Sequence, residues 1–130
     1  VVSGLRRADR ADAGLLAWAE ATPASLIFLS AISLLELETG VLLVERRDTA
    51  QGAILRGWLD GQVLPRFEGR ILPVDAAVAR CCARLHVPDR RSDRDALIAA
   101  TGIVHAMTVV TRKVADFDAT GVDLLNPWAA

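Results

Sequence analysis

A chain of 130 residues, 52% hydrophobic and 24% charged, suits one domain with a sizeable core. Its net charge of −1 excludes a globally basic nucleic-acid binder and leaves only local patches open. Its two cysteines, Cys81 and Cys82, are adjacent, so no disulfide framework is implied and a reducing, cytoplasmic setting is expected.

Residues 4–20 predict a helix with Leu5, Leu15, Leu16 and Trp18 as its apolar positions, ended by Thr22-Pro23. Residues 26–30, LIFLS, form the continuous apolar run of a strand buried on both faces. A helix over 32–46 follows, then another over 49–59, closed by Asp60-Gly61. Residues 70–74, RILPV, predict a short strand. Asp75 caps a helix that runs through His86, with Pro88 beyond it. Ser92 or Asp93 caps the next, which runs to about His105. Residues 107–111, MTVVT, are a β-branched strand, and 123–127, DLLNP, a last edge strand. The longest uncharged runs, 21–35 and 96–111, fall short of the roughly 20 residues of a membrane helix, so no membrane association is expected.

Strands alternating with helices predict an α/β sandwich: a parallel sheet flanked by helices and joined by right-handed crossovers. Ligands of such sheets sit beyond the carboxyl ends of the strands. Glu36 follows the strand at 26–30, and Asp116 follows the strand at 107–111. Asp95 lies in the first turn of the helix leading into the latter strand. Singly, each acid reads as a cap or surface residue. Glu36 is the odd one, because Leu34, Leu35 and Leu37 surround it and the stripe through Glu38 and Glu45 lies to one side. Gathered together, three carboxylates repel one another unless a cation joins them, and all-oxygen ligands suit Mg²⁺ or Mn²⁺. Such an ion polarises a phosphoryl oxygen and supplies a nucleophilic water. Thr111 and Arg112, at the strand end, are candidates to orient a water and hold a phosphate oxygen; the alternatives are a plain strand-end threonine and a solvated arginine.

Three stretches carry a family resemblance: LSAISLLELETG (29–40), DALIAATGIVHAMTVVTRKVADF (95–117) and TGVDLLNPW (120–128). Together they resemble PIN-domain ribonucleases, specifically the VapC-type toxins of bacterial toxin–antitoxin pairs, over nearly the whole chain. The resemblance implies a single PIN-like domain over residues 1–130, a three-layer sandwich, and an acidic pocket binding Mg²⁺ or Mn²⁺. It implies hydrolysis of RNA phosphodiester bonds, a VapB-type antitoxin partner and a homodimer. Glu36, Asp95 and Asp116 match the family's acids and are the expected catalytic and metal-binding residues. There are two departures. The family begins with an apolar strand ending in an aspartate, whereas this chain opens VVSGL, so that strand and acid are expected upstream of Val1. Lys113 stands where the family has asparagine after the TR pair. The alternative reading is a catalytically inactive PIN-like scaffold that binds RNA or a protein partner.

His86 and His105 fall at helix ends and read as caps, and the cysteines as packing residues. Arg90, Arg91 and Arg94 read equally as a solvated face or as contacts for an RNA backbone.

Overall fold

The computed structural model describes residues 21–111 and 114–126. The helix expected over 4–20, with Trp18, lies outside these, as do Arg112, Lys113 and Trp128. Four short strands are described: β1 (Leu29–Ser30), β2 (Ile71–Leu72), β3 (Val109–Val110) and β4 (Leu124–Leu125). Each lies inside its expected run but is shorter. Residues 24–26 form a 3₁₀ turn where the first strand was expected to start. β1 pairs with β2 and β3 with β4, all in parallel, so the described strands form two ribbons. The ribbons share a core, since Val110 packs with Ile27 and Leu29.

Helix α1 (Ala31–Arg47) begins directly at the end of β1. Ser30 ends the strand in extended backbone, and its Oγ accepts the Ser33 N–H at 2.9 Å. The Ser30 hydroxyl in turn donates to Ser33 Oγ at 3.0 Å, and both residues are buried. Ser30→Ala removes both bonds. It is expected to cost about 1 kcal/mol as a lost N-cap, read as a lowered denaturant midpoint in a urea titration.

Helix α2 (Thr49–Trp58) is separated from α1 by Asp48 alone. The Asp48 N–H donates to Val44 O at 2.8 Å, closing α1, and its Oδ1 accepts the Gln51 N–H at 3.1 Å, opening α2. The two helices lie very close: a Cβ on Gly52 would stand 2.5 Å from Glu45 Cα. Arg56 spans the hairpin, donating to Glu38 at 2.6 Å and to Glu45 at 3.1 Å, and facing Asp60 at 3.4 Å. Glu38 and Glu45 raise the Arg56 pKa, and the Arg56 hydrogen bond lowers that of Glu38.

The expected break at Asp60-Gly61 does not occur. The helix continues through a π turn (Leu59–Val63) into α3 (Leu64–Arg66). Leu59, Val63 and Phe67, spaced by four, are all buried in the core, and that burial outweighs the weak helix preference of Gly61. Pro65 has no N–H, and its ring would press on the Gly61 carbonyl in a regular α turn. The wider turn, with Leu64 N–H donating to Leu59 O, relieves that contact. Arg70 then ties the helix end to β1, donating to Ile27 O at 3.0 Å and to Arg66 O, with its guanidinium over the Phe67 ring.

Helix α4 (Ala76–Leu85) is capped by Asp75, as expected, through the Val78 N–H at 3.0 Å. Helix α5 (Asp93–Val104) is capped by Ser92 rather than Asp93. Val78, Cys81 and Cys82 of α4 meet Ala96 and Ala100 of α5, and the small side chains let the helices pack closely. A short helix, α6 (Val114–Phe117), follows β3, and residues 118–120 turn the chain toward β4. No helix among the described residues is long and apolar enough to cross a membrane.

Candidate active site

Helix α1 starts where β1 ends, and α6 starts four residues beyond β3. Helix α5 leads into β3. Glu36, Asp95 and Asp116 are each carried by a different helix, α1, α5 and α6. A shared apolar floor links the three helices: Ile32 of α1, Ile98 and Ala99 of α5, and Phe117 of α6 belong to one buried cluster with Val109. Each acid sits within one turn of a member of that floor, at spacings of one, three or four residues.

The side chains differ in setting. Glu36 is half-buried at the border of the apolar face of α1, between buried Leu37 and Leu35, which is 47% exposed. It is therefore not sunk among leucines as the sequence suggests. Asp95 is half-buried, and its N–H faces Ser92 Oγ at 3.5 Å. Asp116 is exposed within α6 rather than in a turn. No ion pair is formed by Glu36 or Asp116 among the described residues, whereas Glu38 and Glu45 are both taken up by Arg56. The separation of Glu36 from the Glu38–Glu45 stripe is thus as the spacing predicts.

Carboxylate oxygens alone are the donor set for a hard divalent cation. By that chemistry the residues fit Mg²⁺ or Mn²⁺. Among the described residues, however, no three of His, Cys, Asp and Glu stand close enough to hold one ion. Glu36, Asp95 and Asp116 therefore form no closed cage of three ligands.

Thr111 is only 1% exposed, and its N–H donates to Leu125 O at 3.0 Å. Arg91 is turned inward, its Nε donating to Leu85 O at 2.8 Å, and so is part of the scaffold. Arg90 is 80% exposed and faces Asp93 at 3.5 Å, and Arg94 is exposed, so these two keep the solvent-facing role. Burial, with Asp93 and Cys81 nearby, pushes the Cys82 thiol up, which suits a packing residue and not a nucleophile. The sequence reading missed the Ser30–Ser33 hydroxyl pair and the contacts of the His86 ring. The S-x-x-S spacing across a strand end is a signal for the first; nothing local marks the second.

The description of the PIN domain family matches residues 1–121. The chain is 36% identical over 135 residues to the VapC ribonuclease Y4jK of Sinorhizobium fredii, covering 98% of this chain and 93% of that protein. It is 34% identical over 119 residues to the toxin FitB of Neisseria gonorrhoeae, covering 88% and 84%. It superposes on the solved structure of FitAB bound to an IR36 DNA fragment with a TM-score of 0.87 at 30% identity, covering 98% of this chain and 94% of that one.

Proposed function

The chain belongs to the PIN-domain family, in company with VapC-type toxins, and from that premise we propose that it is a metal-dependent endoribonuclease toxin held in check by a cognate VapB-type antitoxin. The observation that supports this reading is that the three helices bearing Glu36, Asp95 and Asp116 share one buried apolar cluster. Glu36, Asp95 and Asp116 would hold Mg²⁺ or Mn²⁺. The ion would supply Lewis-acid polarisation of a phosphoryl oxygen and a water acidic enough to attack phosphorus. The protein's own part is to present oxygen donors from rigid helices and to hold the RNA. Arg112 grips a phosphate oxygen, and exposed Arg90 and Arg94 near Asp95 contact the RNA backbone. The Thr111 hydroxyl, at the end of β3, orients a water or a phosphate.

Leu35 and Leu42 are seven residues apart on α1, 47% and 54% exposed, with Leu43 beside them and exposed Ile54 on the neighbouring α2. Apolar side chains of this size in solvent suit a protein partner: the antitoxin, or a second copy in a homodimer. The FitAB–DNA complex supports the further reading that the toxin–antitoxin complex of this chain binds DNA.

In the deciding experiment, purified protein is incubated with a mixed RNA substrate in Mg²⁺, in EDTA, and in EDTA followed by excess Mg²⁺. Cleavage in the first and third conditions only is expected. Undiminished cleavage in EDTA rules out the metal role. Absence of cleavage by folded protein across diverse RNAs selects the inactive scaffold, the reading favoured by the open spacing of the acids.

A further inference from the structure

The connection between α4 and α5 is tied at both ends by one side chain. His86 caps α4, and its Nδ1 accepts the backbone N–H of Arg91 at 3.1 Å. Because a donor faces Nδ1, the neutral ring carries its proton on Nε2. That nitrogen faces Asp93 Oδ1 at 3.4 Å and Cys82 Sγ at 3.8 Å. The Arg91 side chain closes the loop from the other direction, donating from Nε to Leu85 O at 2.8 Å. The end of α4, at residues 85 and 86, is thus bonded to the beginning of α5, at residues 91 and 93. Asp95 lies two residues further on, in the first turn of α5.

We propose that His86 is a positioning residue: by holding Arg91 it fixes the start of α5, and with it the Asp95 carboxylate at the metal site. This rests on the reading of Asp95 as a metal-holding residue. The role of His86 parallels the outer groups that orient a ligand, whose loss lowers metal affinity by roughly 10- to 100-fold.

The two ring nitrogens can be tested separately. In His86→Asn, the amide oxygen falls where Nδ1 was and still accepts the Arg91 N–H. In His86→Gln, the amide reaches the Nε2 position, and the Arg91 N–H loses its acceptor. Two quantities are measured on each folded protein: hydrogen exchange of the Arg91 amide, and Mn²⁺ affinity by titration. His86→Asn is expected to keep Arg91 protected and to bind Mn²⁺ within about threefold of the parent, whereas His86→Gln exposes Arg91 and binds about tenfold more weakly. Equal Mn²⁺ affinity in both variants and the parent overturns the positioning role while leaving the metal site standing. If the parent binds no Mn²⁺, the metal-site reading fails and takes the positioning role with it.

Discussion

Asp95→Asn will lower Mg²⁺-supported RNA cleavage by roughly 10²- to 10³-fold, the loss expected when several kcal/mol of metal-borne stabilisation disappears. The fold should survive. The substitution keeps the side-chain volume, and the capping bond to Ser92 uses the Asp95 backbone N–H. Losing a negative charge in the first turn of α5 weakens a favourable helix-end interaction by only roughly 0.3–1 kcal/mol. Stability without metal should therefore change little. Stability with metal should change a great deal. A ligand at 100 times its dissociation constant stabilises a folded protein by about 2.7 kcal/mol. Mn²⁺ should thus raise the melting temperature of the parent and leave that of Asp95→Asn where it was. Glu36→Gln and Asp116→Asn should behave alike. A variant that melts normally and cleaves at the parental rate would remove its acid from the site.

Gly52→Val will be the most damaging single substitution in the α1–α2 hairpin. Any Cβ at this position would fall 2.5 Å from Glu45 Cα and 2.9 Å from Glu45 N, and backbone atoms cannot step aside as a side-chain tip can. The helices must separate, which also strains the Arg56 bonds to Glu38 and Glu45. Overpacking of this kind costs about 3 kcal/mol, against a total stability of roughly 5–15 kcal/mol. For a chain of this size the melting temperature should fall by about 10 °C. Gly57→Ala is the matched control, since nothing lies within 4 Å of a Cβ there and the position is exposed. It should be neutral or stabilising by up to about 1 kcal/mol. Circular-dichroism melts of the two variants decide the matter: if Gly52→Val melts with the parent, the close approach of the two helices is wrong.

Much of this architecture is legible in the sequence because local chemistry and tertiary packing agree. Asp75 and Ser92 are short polar side chains placed ahead of amphipathic runs, and both cap the helices they precede. The order of strands and helices follows from apolar runs bounded by polar turns, and that order sets each of the three acids on its own helix. Where packing overrides local preference, the sequence misleads. Asp60-Gly61 looks like a stop, yet the buried series Leu59, Val63 and Phe67 carries the helix onward. Glu36 looks enclosed because its chain neighbours are leucines, but one of them, Leu35, faces solvent. Arg91 looks like its neighbours Arg90 and Arg94, and only the fold reveals that a carbonyl six residues back turns it inward. Such contacts depend on where a loop bends, which no periodicity records.

The single residue between α1 and α2 leaves that corner without slack. Asp48 is at once the last acceptor-satisfying N–H of one helix and the first side-chain cap of the next. One added residue would turn α2 by about 100° relative to α1. Gly52 would leave its place against Glu45, and Arg56 would swing away from both glutamates. Variation in chain length is therefore barred at this corner, and a tag or graft inserted after Arg47 would dismantle the hairpin rather than decorate it.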